Sequence, residues 1–385
     1  MTSARPIPQF DPKRIYLRFR SEIDDVVGNI LAGGQYIGGQ AVAQFEEHLA
    51  GYLFPPGEAC RVVSCANGTD ALDLAFCAAG LQAGDEVLMP SHTYVAAAEM
   101  AVGRKLVPVW VDVQPDGYNM ESDPEILFRH IGPRTKALVV VNMYGMPADW
   151  SRLQSFCREH RLLLIEDNAQ GLGGSVAGKR LGSFGDLSTQ SFFPTKPLGC
   201  MGDGGAIAGR NLDLMDRVAS LARHGQGEKY HYLEVGRNSR LDALQAAILQ
   251  FKLTCLSDCL ASTKAVAAFY AEALSGIEGL VLPQQYLREG EQASWHLYTI
   301  RVKGGRRDFL RARLLSEGIA AGLYYPQPLH RVPCYARHAS EHSSRCRLTD
   351  LLHSEILSLP IFPFMEEREY ARVADVVRCV FASNG

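Results

Sequence analysis

Ser191-Phe192-Phe193-Pro194-Thr195-Lys196-Pro197-Leu198-Gly199 sets a lysine between an apolar run that ends a strand and a turn rich in glycine, Gly199, Gly202, Gly204 and Gly205. The position is poorly suited to a surface charge. If its surroundings strip water from Lys196, the neutral amine becomes accessible and can form a Schiff base with an aldehyde. Taken alone, the same stretch also reads as a loop from which a lysine snorkels into solvent.

Working outward, strand-like runs alternate with helix-like ones at 61–65, 87–89, 107–111, 137–141, 162–165, 188–193 and 206–209. The runs are almost continuously apolar, which predicts an α/β fold with a mostly parallel central sheet covered by helices on both faces. A long helical pattern from Arg240 toward Leu274 carries the chain into a smaller α+β part. There His296-Leu297-Tyr298-Thr299-Ile300 reads as a strand and 309–315 as a helix. The expected division is a large domain over 1–250 and a small C-terminal domain over 251–385.

Three further stretches fall at strand ends, where this architecture places ligands. Arg161-Leu162-Leu163-Leu164-Ile165 runs into Glu166-Asp167-Asn168-Ala169-Gln170. A carboxylate at that point can keep a pyridinium nitrogen protonated; an ordinary turn or helix cap is the other reading of Asp167. Arg61-Val62-Val63-Ser64-Cys65 leads through Ala66-Asn67-Gly68-Thr69-Asp70 into a helical pattern. Gly68 allows close approach of an anion, the first N–H groups of the helix point at it, and Thr69 adds a hydroxyl; a capped βα turn has the same pattern. Beyond Val87-Leu88-Met89, Pro90-Ser91-His92-Thr93-Tyr94 supplies either a platform for a flat ring or a helix-start core residue in Tyr94. Lysine, carboxylate, phosphate cradle and platform together meet the needs of pyridoxal 5'-phosphate (PLP).

In this order, Asn67-Gly68-Thr69-Asp70-Ala71-Leu72, Gly84-Asp85-Glu86-Val87, Pro90-Ser91-His92-Thr93-Tyr94, Glu166-Asp167-Asn168-Ala169-Gln170, Ser191-Phe192-Phe193-Pro194-Thr195-Lys196 and Gly236-Arg237-Asn238-Ser239-Arg240-Leu241-Asp242 resemble the DegT/DnrJ/EryC1/StrS nucleotide-sugar aminotransferases. The resemblance extends from about Gly38-Gly39 to Leu359-Pro360. It implies the PLP-dependent transferase fold of type I. It makes Lys196 the internal Schiff-base lysine and general base, and Asp167 the partner of the pyridine nitrogen. Gln170 would contact the phenolic oxygen and Tyr94 would stack on the ring. Gly68, Thr69 and Ser191 would bind phosphate, joined by Asn238 from a neighbouring subunit, so the resemblance implies a homodimer with shared active sites. The amino donor implied is L-glutamate, the acceptor a nucleotide-linked keto-sugar, and pyridoxamine 5'-phosphate the intermediate cofactor form. Asn238 also suits a helix N-cap region before Leu241, Leu244, Ile248 and Phe251.

Two departures bear on the sugar. Pro197 follows the lysine where the family often has asparagine, and Lys-Pro-Leu-Gly-Cys resembles the branch acting on amino-hexuronic sugars. Tyr324-Tyr325-Pro326, followed by Pro328-Leu329-His330, replaces a common His-Tyr-Pro at positions that line the sugar site in relatives. Ser-Phe-Phe-Pro-x-Lys with Gly202-Asp203-Gly204-Gly205 is similar to the branch that aminates C3, which points to a 3-keto UDP- or dTDP-sugar. Substrate-site candidates are His92, Arg240, Tyr324, Tyr325 and His330; Arg240 also suits a helix-start salt bridge and His330 a solvated loop. A sugar dehydratase of the same fold has histidine for the lysine, so Lys196 argues against it. A non-catalytic PLP-binding regulator is the remaining alternative.

Composition agrees with a metabolic enzyme. The 385 residues are 47% hydrophobic, enough for a large core and two domains. A net charge of −3 with interspersed signs gives no nucleic-acid or membrane surface. The ten cysteines are scattered without a Cys-x-x-Cys pair, and Met1-Thr2-Ser3-Ala4-Arg5-Pro6-Ile7-Pro8 lacks the apolar stretch of a signal peptide, so a cytoplasmic chain with reduced thiols is expected. No metal site is expected: His338 and His342 lack the glutamate of a zinc-protease helix. Gly171-Leu172-Gly173-Gly174 lacks the third glycine of a dinucleotide loop, Val176 standing in its place.

Overall fold

The structure, a computed structural model, describes residues 5–382; Met1–Ala4 of the N-terminal stretch discussed above lie outside the described residues. Five strands in chain order, β1 (Arg61–Cys65), β2 (Glu86–Pro90), β3 (Val107–Val111), β4 (Thr135–Val141) and β5 (Leu163–Asp167), are followed by the two-residue strands β6 (Ser175–Val176) and β7 (Lys179–Arg180). β8 (Leu187–Ser191) and β9 (Gly205–Gly209) complete a seven-stranded sheet of order β1-β9-β8-β5-β4-β2-β3. Only β9 runs antiparallel to its neighbours. The chain is thus of the α/β class with the mostly parallel sheet that the apolar runs predict.

Why most of the strands are apolar is visible in their packing. Successive residues of a strand point to opposite faces. Val87, Met89, Ala137, Val139 and Ile165 enter one core with the helices Gly68–Ala78, Ala96–Gly103 and Leu212–Leu221. Leu88, Leu138, Val140 and Leu164 enter another, against Trp150–His160. Both faces are covered, so the polar residues that do lie inside a strand, such as Ser188, Thr189 and Gln190 of β8, are themselves buried, Gln190 Oε1 accepting from Asn168 Nδ2 (2.9 Å).

A second sheet is built from β10 (Leu280–Val281), β12 (Tyr298–Val302) and β13 (Ile356–Leu359), in that order and antiparallel; β11 (Glu291–Gln292) pairs instead with β6. Its core takes in the helices Leu256–Ala273, Arg307–Ser316 and Glu367–Ala382, and also Ile7, which pairs with Ile319. The long helical pattern from Arg240 is in fact two helices, Ala243–Thr254 and Leu256–Ala273. They part at Cys255, whose ψ of 10° leaves the helical range. There Thr254 Oγ1 donates to the Phe251 carbonyl oxygen and Cys255 Sγ to that of Lys252, competing with main-chain bonding. The strand expected at His296 begins at Tyr298, because Trp295 adopts a left-handed φ of 54° and bends the chain just before it. No helix among the described residues is long and apolar enough to cross a membrane.

Candidate active site

Asp167 and Ser191 are the last residues of β5 and β8, while Asn67-Gly68-Thr69 and Thr93-Tyr94 follow the ends of β1 and β2. They meet in a cavity of about 850 Å³ that Lys196, Gln170, Tyr324 and Tyr325 also line. That volume lies toward the upper end for a small-molecule site.

The lysine loop is tied back on itself. The Lys196 main-chain N–H donates to the Phe193 carbonyl oxygen (2.8 Å) and that of Cys200 to Phe192 (2.8 Å), while the Phe192 N–H donates to the carbonyl oxygen of Gly204, just before β9 (2.8 Å). A Cβ at Gly199 would lie 2.6 Å from the Pro194 carbonyl oxygen, so only glycine closes the turn. Burial lowers the pKa of Lys196 to about 8 against the opposing pull of Asp167. Lys196 itself is partly shielded, its side chain lining the cavity. Burial raises the pKa of Asp167, opposed by a hydrogen bond from the Ala169 N–H (3.1 Å) and by the charge of Lys196. Asp167 thus makes an Asx-type turn and faces the cavity as well. Its neighbour Glu166 points the other way, accepting from the N–H groups of Gly182 (2.6 Å) and Phe184 (2.7 Å) and from Asn142 Nδ2 (2.9 Å).

Gly68 opens the helix Gly68–Ala78, and the Asn67 side chain caps it by accepting from the Asp70 N–H (2.8 Å). A Cβ on Gly68 would stand 2.7 Å from Ser191 Cβ and so fill the concavity between helix start and serine. One on Gly205 would stand 2.4 Å from the Asn67 main chain. Tyr94 is 54% exposed and is not a core residue; its ring lies 5.6 Å from that of Tyr325.

The sequence matches the DegT/DnrJ/EryC1/StrS aminotransferase family over residues 18–378. The chain belongs to that family. A dTDP-3-amino-3,4,6-trideoxy-alpha-D-glucose transaminase of Streptomyces venezuelae is 37% identical over 374 residues, 97% of this chain and 95% of that protein. A UDP-2-acetamido-2-deoxy-3-oxo-D-glucuronate aminotransferase of Pseudomonas aeruginosa is 37% identical over 356 residues, 92% of this chain and 95% of that one. A family aminotransferase from Brucella abortus, known as a crystal structure, matches with a TM-score of 0.90 at 35% identity, covering 97% of this chain and 99% of that one. Aminotransferases of this family are PLP-dependent, and the fold is that of the PLP aminotransferases.

The cavity of this aminotransferase fits that cofactor. The gap kept open by Gly68 beside Ser191 suits a phosphate at a helix N-terminus. Lys196 and Asp167 supply the amine and the carboxylate, and Thr93, which lines the cavity, has a buried hydroxyl without a protein partner.

Four sequence candidates lie away from the cavity lining. Asn238 and Arg240 are exposed on the surface. The residues beside Asn238 are anchored: Arg237 pairs with buried Asp73, and Ser239 Oγ donates to Asp70 Oδ2 (2.6 Å) and accepts from the Ala66 N–H (3.1 Å). His330 is partly buried, with Nδ1 2.6 Å from Ser91 Oγ and Nε2 3.3 Å from Asp350. His92 is buried behind the cavity. Sequence reasoning missed His296, which lines the cavity and has a buried, unpartnered Nδ1, and Tyr144, whose N–H donates to Gln170 Oε1 (2.7 Å). Tyr144 lies just past the end of β4, so the rule that selects Asp167 also selects it.

Proposed function

We propose that this aminotransferase moves the amino group of L-glutamate to the C3 keto carbon of a UDP- or dTDP-linked sugar. The observation that carries the reading is the convergence of Lys196, Asp167 and the Gly68–Ser191 cradle in one cavity of about 850 Å³. Relatives that act on nucleotide-linked sugars carrying nitrogen or oxygen at C3 support the sugar class.

Gly68 and Thr69 would hold the phosphate through main-chain N–H groups and a hydroxyl, with Ser191 Oγ beside them. Asp167 would accept a hydrogen bond from the protonated ring nitrogen, Gln170 would contact the phenolic oxygen, and Tyr94 would cover a ring face. Bound PLP supplies an electrophilic carbon and a ring that accepts electrons. Lys196 Nζ anchors that group, then takes the proton from the amino-bearing carbon of glutamate and, in the second half-reaction, delivers one to the sugar carbon. A pKa near 8 leaves part of the amine neutral under physiological conditions.

The second half of the proposal is a homodimer. Arg237 and Ser239 are held on the inside, which turns Asn238 outward. The adjoining surface carries Tyr232, Leu233 and Val235, the last 96% exposed. Asn238 of the partner subunit completes the phosphate site, and the dimer works in the cytoplasm with its cysteines reduced. A division near residue 250 separates the large cofactor-binding domain from the small one.

Adding L-glutamate to purified, PLP-loaded protein should convert the absorption to that of pyridoxamine phosphate with release of 2-oxoglutarate. A panel of UDP- and dTDP-linked 3-keto and 4-keto sugars, with the new amine located by NMR, then identifies the acceptor. Amination at C4 alone would overturn the C3 assignment. Mixing Lys196→Ala protomers with Asn238→Ala protomers should regenerate activity if the sites are shared.

A further inference from the structure

Behind the wall formed by Tyr324 and Tyr325 runs a chain of buried hydrogen bonds that the chemistry above does not use. His92 Nδ1 lies 2.8 Å from His353 Nε2, His92 Nε2 lies 3.0 Å from Tyr144 Oη, and Tyr144 Oη bonds the main-chain carbonyl oxygen of Tyr324. The rings meet edge to face, His92 with Tyr144 at 5.6 Å and with His353 at 4.8 Å. His92, Tyr144 and His353 are all buried.

The direction of every bond follows from donor counting. A carbonyl oxygen only accepts, so the single hydroxyl proton of Tyr144 goes to Tyr324. The other contact to Tyr144 Oη is then a donation from His92 Nε2–H. Burial pushes the pKa of His92 well below 6.5, so the ring is neutral and its Nδ1 is an acceptor, filled by His353 Nε2–H. The protons are committed in one sense, from His353 to the Tyr324 carbonyl.

Tyr144 is an expensive residue to hold in place. Its φ of 61° and ψ of 9° put a bulky, non-glycine side chain in the left-handed region. Its two ends hold two residues of the cavity lining: the main-chain N–H bonds Gln170 Oε1 and the hydroxyl bonds Tyr324. Tyr324 is confined further by Gly322, where a Cβ would stand 2.4 Å from the tyrosine ring. The residues fitted to the cofactor come from the ends of the seven-stranded sheet, whereas Tyr324, Tyr325, His296 and Ile361 close the cavity from the C-terminal part. That side is left for the molecule that exchanges its carbonyl oxygen for nitrogen.

We propose that His92 is a positioning residue for the acceptor sugar: through Tyr144 it fixes the Tyr324–Tyr325 wall and so sets sugar affinity without touching the sugar. The inference rests on the reading of the acceptor as a nucleotide-linked keto-sugar. His92 thereby moves from a candidate substrate contact to a residue acting from behind the wall.

The test uses PLP-loaded enzyme carrying His92→Phe, His92→Gln or His92→Asn. A glutamine Nε2 reaches the place of the histidine Nε2 and can donate to Tyr144; asparagine reaches only that of Nδ1. His92→Phe should raise KM for the sugar roughly tenfold, the scale of one buried hydrogen bond, with the glutamate half-reaction, followed by absorption, within about twofold of the parent. His92→Gln should recover most of that loss and His92→Asn should not. Tyr144→Phe should repeat the effect, and the double variant should be no worse than either single one. Binding of the amino-sugar product, measured by calorimetry, should weaken by the same factor. Unchanged sugar KM and product binding in His92→Phe, equal losses in both half-reactions, or equal behaviour of the glutamine and asparagine variants would each overturn the proposal. If His92→Phe does not fold, the glutamine–asparagine comparison and Tyr144→Phe decide it alone. A parent enzyme that reacts with glutamate yet passes the amine to no nucleotide-linked keto-sugar overturns the substrate reading instead.

Discussion

Two lysines are held around the same loop, Lys252 buried and Lys196 partly so, and they do opposite things. Lys196 sits within it and faces the cavity, whereas Lys252, on the helix Ala243–Thr254, donates its ammonium to the Gly199 carbonyl oxygen from beneath. Burial lowers the pKa of both. Desolvation by itself therefore does not make a reactive amine. What separates them is where the proton is held: Lys252 is committed to the Gly199 carbonyl, and Lys196 lines the cavity together with Asp167.

That contrast can be broken most sharply by exchanging function. Lys196→Ala should reduce amino transfer by at least about a thousandfold with circular dichroism unchanged, while Lys252→Met should keep transfer within a few-fold; comparable losses would erase the distinction. Removing the charge opposite the reactive amine comes next. Asp167→Asn should slow the glutamate half-reaction roughly a hundredfold, read as the rate of absorption change. Lys252→Met should instead cost about 1–3 kcal/mol of stability, because the Gly199 carbonyl is left buried without a donor, measurable in urea melts.

The smallest effect is in pH. The folded pKa of Lys196 is about 8 and the unfolded one near 10.5. Between these values the unfolded chain holds more protons, so the stability of cofactor-free protein should rise with pH across that window. Cofactor-free Lys196→Met should lack this part of the rise.

Most of the cofactor side of the cavity was legible in the sequence, since a strand that is apolar until its last residue announces its end. Asp167 and Gly68 are found that way, and so was the sheet that carries them; Ser191 ends the largely polar strand Leu187–Ser191 and was singled out only by the family resemblance. The C-terminal wall was harder. Tyr324 and Tyr325 were noticed only as a departure from a resemblance, and His296 looked like the first residue of a strand. The helix break at Cys255 was hidden because the apolar periodicity continues across it. Side-chain bonds from Thr254 and Cys255 end the first helix there, and periodicity does not register them.

The sequence by itself determined which residues could do chemistry: a lysine in a glycine-closed loop, a carboxylate at a strand end and a glycine at a helix start are local features, fixed by strand direction and backbone sterics. Only the tertiary structure decided how they are used. Adjacent residues of one strand face opposite ways, so Asp167 enters the cavity and Glu166 pins the turn at 182–185. Contacts spanning hundreds of residues place the rest: His353 reaches His92 across 261 positions, and Tyr144 reaches Tyr324 across 180. No local pattern encodes such pairs, because the two partners become neighbours only when both sheets have packed.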